Sequence, residues 1–574
     1  MERRPWQDIA HQVQSHRNRT LSQIQPPIPD VPSSLPGNVT GIPQALLSPR
    51  EVEITTTFTE DLVFSLATGS LTSTEVTNAF LRRAGLAQKL TNCITEVLPE
   101  RALARAKELD DFLSEHKRPR GPLHGLPISV KEHVGMKDLG LNAGFVAWAE
   151  EKADDDALIL KILWQAGCVF YVRTAEPQSL MHLETSSNLY GVTVNPFDRL
   201  LTPGGSSGGE GSLIGLRGSC LGLGTDIGGS IRSPAANNGI FGFRPTTGRI
   251  PLLGLSAPQV GSGYIESVLG PLSTSLDGIK LFMRTVLAAK PWVTDPSLVP
   301  LPWRDEESHL GKNDYKRLRI AVLWSDAVVK PHPPVLRALK EVVTKLSKVR
   351  DVEIVDWKPY KHDFAWELIA SLYYMDGGDQ TTELIGSSGE PWRPLSRFIV
   401  SENPHVKHRT IAEIEDLKLQ RDKYRYEYAQ QWNSTATTMA QNGDLEDLVD
   451  VILCPASPGV APPLDSSRYW GYTSQWNLLD YPALVFPVTT VDPALDVRDD
   501  EYSPTNDQDQ FNHDLCKSSI SSRAFVQPLI SEDNGPEKYL GLPVSLQLVG
   551  RRYEDEKVVE ALAYMKEKIG LPFS

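Results

Sequence analysis

Cysteine is scarce in this chain, basic charge is in deficit, and long apolar runs are missing; each shortage excludes something. The five cysteines among 574 residues (Cys93, Cys168, Cys220, Cys454 and Cys516) are scattered, odd in number and without C-x-x-C spacing. Neither a disulfide framework nor a thiolate zinc site is expected, and reduced thiols of a cytoplasmic protein are. Lys and Arg number 58 against 72 Asp and Glu, a formal charge of −14. That balance argues against capture of nucleic acid or of an anionic membrane surface. No stretch reaches the roughly 18 apolar residues of a membrane-spanning helix. The opening MERRPWQDIAHQVQ lacks the apolar core of a secretory signal, so no membrane anchor and no secretion are expected. No internal repeat is found.

What the chain has in excess, locally, is glycine. Between Gly204 and Gly229 there are eleven glycines in 26 residues. Glycine at that density raises the entropy lost on folding, so it implies positive φ or a close approach of backbone. A flexible linker would not interleave Leu213, Ile214, Leu216, Cys220, Leu221, Leu223 and Ile227, so the stretch reads as buried and ordered. Ser206, Ser207 and Ser230 stand at its glycine-dense ends. Ser230 follows Thr225-Asp-Ile-Gly-Gly229, where successive backbone N–H groups can converge into an anion-binding concavity. An oxyanion hole needs that geometry, which makes Ser230 a candidate nucleophile and the amides of Ile227, Gly228, Gly229 and Ser230 candidate donors. For a base there is Lys131, in Gly125-Leu-Pro-Ile-Ser-Val-Lys-Glu-His133, at the end of what reads as a short buried strand. Burial disfavours the ammonium form and lets a lysine act as a base near neutrality.

These stretches together resemble the amidase signature hydrolases, and in particular their fungal acetamidase and general amidase branch. The resemblance is carried by GLPISVKEHV (125–134), GGSSGGEGSLIG (204–215) and LGLGTDIGGSIRSPAANNGIFGFRPT (221–246). It continues through CPASP (454–458) and GLPVSLQLVGRRYEDE (541–556). It implies an α/β fold with a large mixed β-sheet core covered by helices on both faces. It also implies a Ser-Ser-Lys triad in which Lys131 is the base, Ser206 the bridging serine held in a cis peptide, and Ser230 the acylated serine. Leu180, in Pro177-Gln-Ser-Leu180, falls on a position whose backbone contacts substrate in the family. The stretch Tyr472–Pro487 matches a segment that lines the acyl pocket in the acetamidase branch, which makes Tyr472 and Trp476 pocket candidates. The implied reaction is hydrolysis of a linear carboxylic amide to acid plus ammonia or amine, with no metal and no organic cofactor. The implied partner is a small amide substrate, and a homodimer is compatible with the family. Two alternatives stand beside it: an amidotransferase-type subunit working with partner chains, and a catalytically silent amide-binding relative.

Other features have plainer readings. Gly204-Gly-Ser206-Ser-Gly208 fits the G-x-S-x-G nucleophile elbow, but that motif needs an apolar strand before it, and Asp198–Pro203 offers only a leucine pair. Asp226 and Arg232 flank the candidate nucleophile and read as an ion pair bracing the oxyanion loop. His405-x-x-His408 has helical spacing but no third ligand nearby, so it reads as surface histidine.

Along the chain, residues 1–45 read as an N-terminal helical and Pro-rich arm, and 46–574 as one catalytic domain. Ser48-Pro-Arg-Glu51 and Thr72-x-x-Glu75 read as helix starts, and residues 99–115 as an amphipathic helix burying Ala102, Ala106, Leu109 and Leu113. The helix at 156–167 followed by CVFYVRT, and LRIAVLW (318–324) followed by a helix at 333–347 and a strand near 353–357, give the alternation of an α/β sheet. Helical patterns recur near 363–375 and 408–441, within a variable insertion of about 285–450 that shapes substrate access. Residues 492–510 carry seven acidic side chains against one basic and read as a solvated loop extending to about 538. The chain closes with a strand at 543–549 and a helix from about 554.

Overall fold

The computed structural model describes residues 4–258, 261–305, 317–441, 443, 445–497, 502–515 and 536–571. Its centre is one mixed sheet of eleven strands: β1 (Ile94–Val97), β2 (Pro127–Lys131), β3 (Val169–Thr174), β4 (Leu221–Asp226), β5 (Phe241–Arg244), β6 (Val268–Ser273), β7 (Leu318–Val322), β8 (Val352–Asp356), β9 (Val451–Pro455), β10 (Ala483–Thr490) and β11 (Pro543–Val549). Their order across the sheet is β1-β3-β2-β4-β6-β5-β10-β11-β9-β7-β8. The pairs β3–β2, β2–β4, β9–β7 and β7–β8 are parallel and the other six are antiparallel.

Two of the parallel pairs, β2–β3 and β7–β8, are the ones that the strand–helix alternation anticipated, because a parallel neighbour needs a crossover long enough to hold a helix. Every residue of PISVK in β2 and VFYVRT in β3 is buried. Such continuous burial belongs to a sheet covered by helices on both faces. The helices include α1 (Trp6–Ser22), α2 (Ser73–Thr91), α3 (Pro99–His116), α4 (Gly208–Gly215), α5 (Arg232–Asn238), α6 (His362–Tyr373), α7 (Ile411–Asn433), α8 (Gly471–Leu479) and α9 (Asp507–Asp514). Thr72 caps α2 by accepting from the Glu75 amide, and Ser48 with Glu51 forms a reciprocal capping box on the helix Pro49–Thr56.

Several expectations shift. Leu113 is only half-buried, because the buried stripe of α3 ends at Leu109. The pattern near 408–441 resolves into the single helix α7, and two helices between it and α6 (Asp379–Ser388 and Pro394–Val400) left no clear period in the sequence. The stretch from about 285 to 450 also supplies the edge strand β8 and its neighbour β7. The acidic stretch is not simply a solvated loop. Asp507–Asp514 is helical, Asp496 is buried against the Arg337 guanidinium, and Asp509 is buried accepting from the amides of Lys330 and Thr505. Its residues 498–501 and 516–535 lie outside the described ones.

Two core regions matter for function. One packs the sheet against α2, α3 and the helix Asp555–Ile569. The other is aromatic, joining Trp357, Tyr373, Tyr428, Trp432, Trp470 and Trp476 where α6, α7 and α8 meet. Tyr428 meets Trp476 edge-on at 6.2 Å between ring centroids, a favoured aromatic geometry. This second core holds the loop after β4 from one side. The strands β2 and β4 run in the same direction, so Lys131 and Asp226 both stand at carboxyl ends, where ligands bind in open α/β sheets.

Candidate active site

Lys131, the last residue of β2, is fully buried, and its Nζ lies 2.6 Å from Ser206 Oγ and 3.0 Å from Thr225 Oγ1. Burial pushes its pKa down to about 8, and the carboxylates of Glu176, Asp226 and Glu210 keep it from falling further. Two of those carboxyls are themselves disfavoured as anions. Burial and the neighbouring Glu132 push Glu176 well above the usual range, and burial moves Glu210 up to about 7 despite hydroxyls of Ser129 and Thr174 that favour its anion.

The peptide Gly205–Ser206 is cis. Gly205 has no room for a side chain, since a Cβ there would stand 2.1 Å from the Glu184 carbonyl oxygen. No strand precedes this loop; residues 198–203 hold only an isolated bridge at Leu201, so the nucleophile-elbow geometry is absent. The loop runs directly into α4. The Ser207 amide donates to the Ser230 carbonyl at 3.1 Å, tying the two serine-bearing segments together. Ser206 and Ser230 face one cavity of about 280 Å³.

The loop carrying Ser230 is built around Asp226. Its carboxylate accepts from Arg232 Nε and Nη2, both at 3.0 Å, from the amides of Gly229 (2.8 Å) and Ile231 (3.1 Å), and from Asn477 Nδ2 (2.9 Å). Arg232 also donates to the Thr473 carbonyl and to Asn477 Oδ1 on α8. Burial alone would raise the Asp226 pKa, but the Arg232 guanidinium and Asn477 together hold it well below the usual carboxylate range. Both charges are completely buried. Arg232→Met would leave one of them unpaired, and breaking a buried pair in that way typically costs about 3–5 kcal/mol. We expect a clearly lowered Tm in a thermal melt; an unchanged Tm would show that the pair does not brace the loop.

The amide set departs from the sequence expectation at Gly229. Its N–H is taken by Asp226 Oδ1, while the amides of Ile227, Gly228 and Ser230 have no acceptor among the described residues. Two distant hydroxyls fix the loop's carbonyls instead. Tyr373 Oη donates to the Ile227 carbonyl at 2.8 Å, and Thr473 Oγ1 donates to the Gly228 carbonyl at 2.7 Å. A trans peptide points its C=O and N–H in opposite directions, so the bond from Tyr373 sets the aim of the Gly228 amide.

Leu180 lines the same cavity, and its neighbour Ser179 joins it. Both have left-handed backbones (φ 61° and 69°), an uncommon conformation for residues with side chains and one that concentrates at functional sites. Tyr472 and Trp476 do not line it. Trp476 is locked in the aromatic core, and Tyr472 borders a separate cavity of about 330 Å³, donating from its hydroxyl to the Val329 carbonyl. From their stretch it is Thr473 that reaches the site. The sequence reading also missed His133, Thr225 and Tyr373. His133 stands two residues past Lys131 and Thr225 one before Asp226, so their positions offered a signal; Tyr373 offered none. Among the described residues, no three His, Cys, Asp or Glu side chains gather as a metal site would require. His405 and His408 stay apart from the cavity, and no described helix is long and apolar enough to cross a membrane.

The chain belongs to the amidase family: the family model described as Amidase matches residues 75–559. It is an amidohydrolase of the amidase-signature kind. Within that family it is 44% identical over 560 residues to a Schizosaccharomyces pombe protein that carries an amidase name, covering 97% of this chain and 98% of that one. It is 39% identical over 516 residues to the acetamidase of Emericella nidulans, covering 90% and 89%. Among solved structures it is similar to a fatty acid amide hydrolase, with TM-score 0.86, 34% identity and coverage of 99% and 97%.

Proposed function

We propose that the chain hydrolyses a carboxylic acid amide to the acid plus ammonia or amine, through an acyl-enzyme on Ser230. Neutral Lys131 takes a proton from Ser206 as Ser206 takes one from Ser230, and Ser230 Oγ bonds to the carbonyl carbon. The carbonyl oxygen becomes an oxyanion facing the amides of Ile227, Gly228 and Ser230. On collapse the C–N bond breaks, and the proton held by Lys131 returns through Ser206 to the departing nitrogen. Water then repeats the sequence and releases the acid. The observation that carries this reading is the buried Lys131 Nζ, 2.6 Å from the hydroxyl of a serine that shares a cavity with Ser230.

The cavity also bears on substrate. The charged residue among its described lining is Asp226, already bound by Arg232, and burial with the nearby Lys131 pushes His133 down to about 3, so it is neutral. Leu180, Leu255, Ile265, Leu372 and the ring of Tyr373 supply apolar wall. At about 280 Å³ the space suits an uncharged amide with a modest aliphatic or aryl acyl group. The four described cysteines are buried and unpaired, which supports a reducing, cytoplasmic setting.

Ammonia release by the purified chain from a panel of primary amides tests this. We expect turnover of acetamide, butyramide, hexanamide and benzamide, and rates lower by about 100-fold for an acyl group bearing a carboxylate, whose desolvation nothing offsets. Turnover that needs an added partner chain would favour the amidotransferase alternative, and binding without turnover the silent one.

A further inference from the structure

His133 is buried beside the base, yet the mechanism above gives it no task. Its two ring nitrogens have different partners. Nδ1 lies 2.7 Å from the Ser256 carbonyl oxygen, and Nε2 lies 3.0 Å from Thr225 Oγ1. A carbonyl can only accept, so Nδ1 carries the hydrogen, and in a neutral imidazole Nε2 is then a bare acceptor. Thr225 has one hydroxyl hydrogen, and Nε2 claims it. What Thr225 Oγ1 turns toward Lys131 Nζ, 3.0 Å away, is therefore a lone pair.

A neutral amine has two hydrogens and one lone pair. One hydrogen of Lys131 goes to Thr225, which has no proton left to offer in return. The remaining hydroxyl within hydrogen-bond distance of Nζ is that of Ser206. We propose that His133, acting through the Thr225 hydroxyl, is a positioning residue that gives the relay its direction by reserving the Lys131 lone pair for the proton of Ser206. This rests on the Lys131–Ser206–Ser230 reading. Without an acceptor at position 133, Thr225 can rotate its hydrogen onto Lys131 and hold the amine in an idle state.

The arrangement requires an uncharged ring. Burial, Lys131 and Arg173 all disfavour the imidazolium, and only the Ser256 carbonyl favours it. Lys131 in turn faces Glu176, Asp226 and Glu210, and the Glu176 carboxylate accepts from the His133 amide at 3.3 Å. All of these groups remain when the imidazole is replaced, so a change in pH dependence reports the Thr225 hydroxyl.

The test is a pH–rate profile of His133→Phe, His133→Gln, Thr225→Val and the double variant His133→Phe/Thr225→Val, with Tm as a folding control. His133→Phe is expected to lose about tenfold in kcat at little change in KM, the equivalent of one net hydrogen bond. Its rising limb should move to lower pH, because Thr225 can now donate to the neutral amine and favour it over the ammonium. Gln offers an acceptor oxygen near the position of Nε2 and should recover most of the rate. In the Thr225→Val background, His133→Phe should have little further effect, since the residue through which it acts is gone. A limb and kcat in His133→Phe equal to wild type would overturn the inference, as would a loss that persists undiminished on top of Thr225→Val. If the phenyl ring prevents folding, His133→Leu set against His133→Gln gives the same comparison. Failure of the underlying relay reads out separately: Lys131→Ala would then keep the wild-type limb.

Discussion

Alanine at Ser230 is expected to lower kcat for a primary amide by roughly 10⁴- to 10⁶-fold, the scale on which loss of a serine nucleophile is felt. What remains is the contribution of the oxyanion amides and of binding, because neither depends on the hydroxyl. Ser206→Ala should be less severe, about 10²- to 10⁴-fold, since it removes the proton path and leaves the attacking atom in place. Both substitutions delete one oxygen from a buried side chain, so the fold should persist, and Tm measured beside the steady-state rates verifies that. Equal losses at the two serines would be compatible with the relay. A larger loss at Ser206 than at Ser230 would point to the wrong nucleophile.

The second large effect concerns Lys131 and has a definite sign in pH. The base works as the free amine, and its pKa is pushed down to about 8 by burial. Below that pH it is an ammonium and cannot accept. We therefore expect kcat/KM for an uncharged amide to rise with pH, pass its half-maximum near 8, and level off above. Lys131→Ala should abolish that limb and lower the rate by about 10²- to 10⁴-fold. The loss should be greater for amides than for the matching esters, because a departing amine needs the returned proton. His133 cannot supply a substitute limb, since burial and Lys131 push it down to about 3. A limb near 6.5 that survives in Lys131→Ala would place the base elsewhere.

The parts of this site that were legible in the sequence are the ones written locally. Lys131 ends a short run of buried residues, and the two serine loops are marked by glycine where backbone crowds backbone, as at Gly205 against Glu184. Two parallel pairs of the sheet, β2–β3 and β7–β8, were legible too, because these strands are apolar and are separated by helical periods. The antiparallel centre was not, since LGLGTD in β4, FGFR in β5 and VLGPLS in β6 mix glycine and proline into strands that burial and pairing hold. Four converging amides were expected after Asp226, but its carboxylate captures the one three residues on. The side chains that pin the loop come from 146 residues away for Tyr373 and 245 for Thr473. No local pattern announces them; they arrive because the aromatic core of α6, α7 and α8 packs beside the sheet.

The measurement that bears most directly on Ser230 is the site of covalent capture by a fluorophosphonate. Trypsin separates the two serines cleanly: Ser206 falls in the peptide Leu200–Arg217 and Ser230 in Gly218–Arg232. Mass analysis of the labelled wild-type protein should show one adduct, on Gly218–Arg232, with fragmentation placing it at Ser230 and not at Ser219. Labelling should vanish in Ser230→Ala and slow in Ser206→Ala. An adduct on Leu200–Arg217 at Ser206, still present in Ser230→Ala, would contradict the assignment of the nucleophile and the direction of the relay with it.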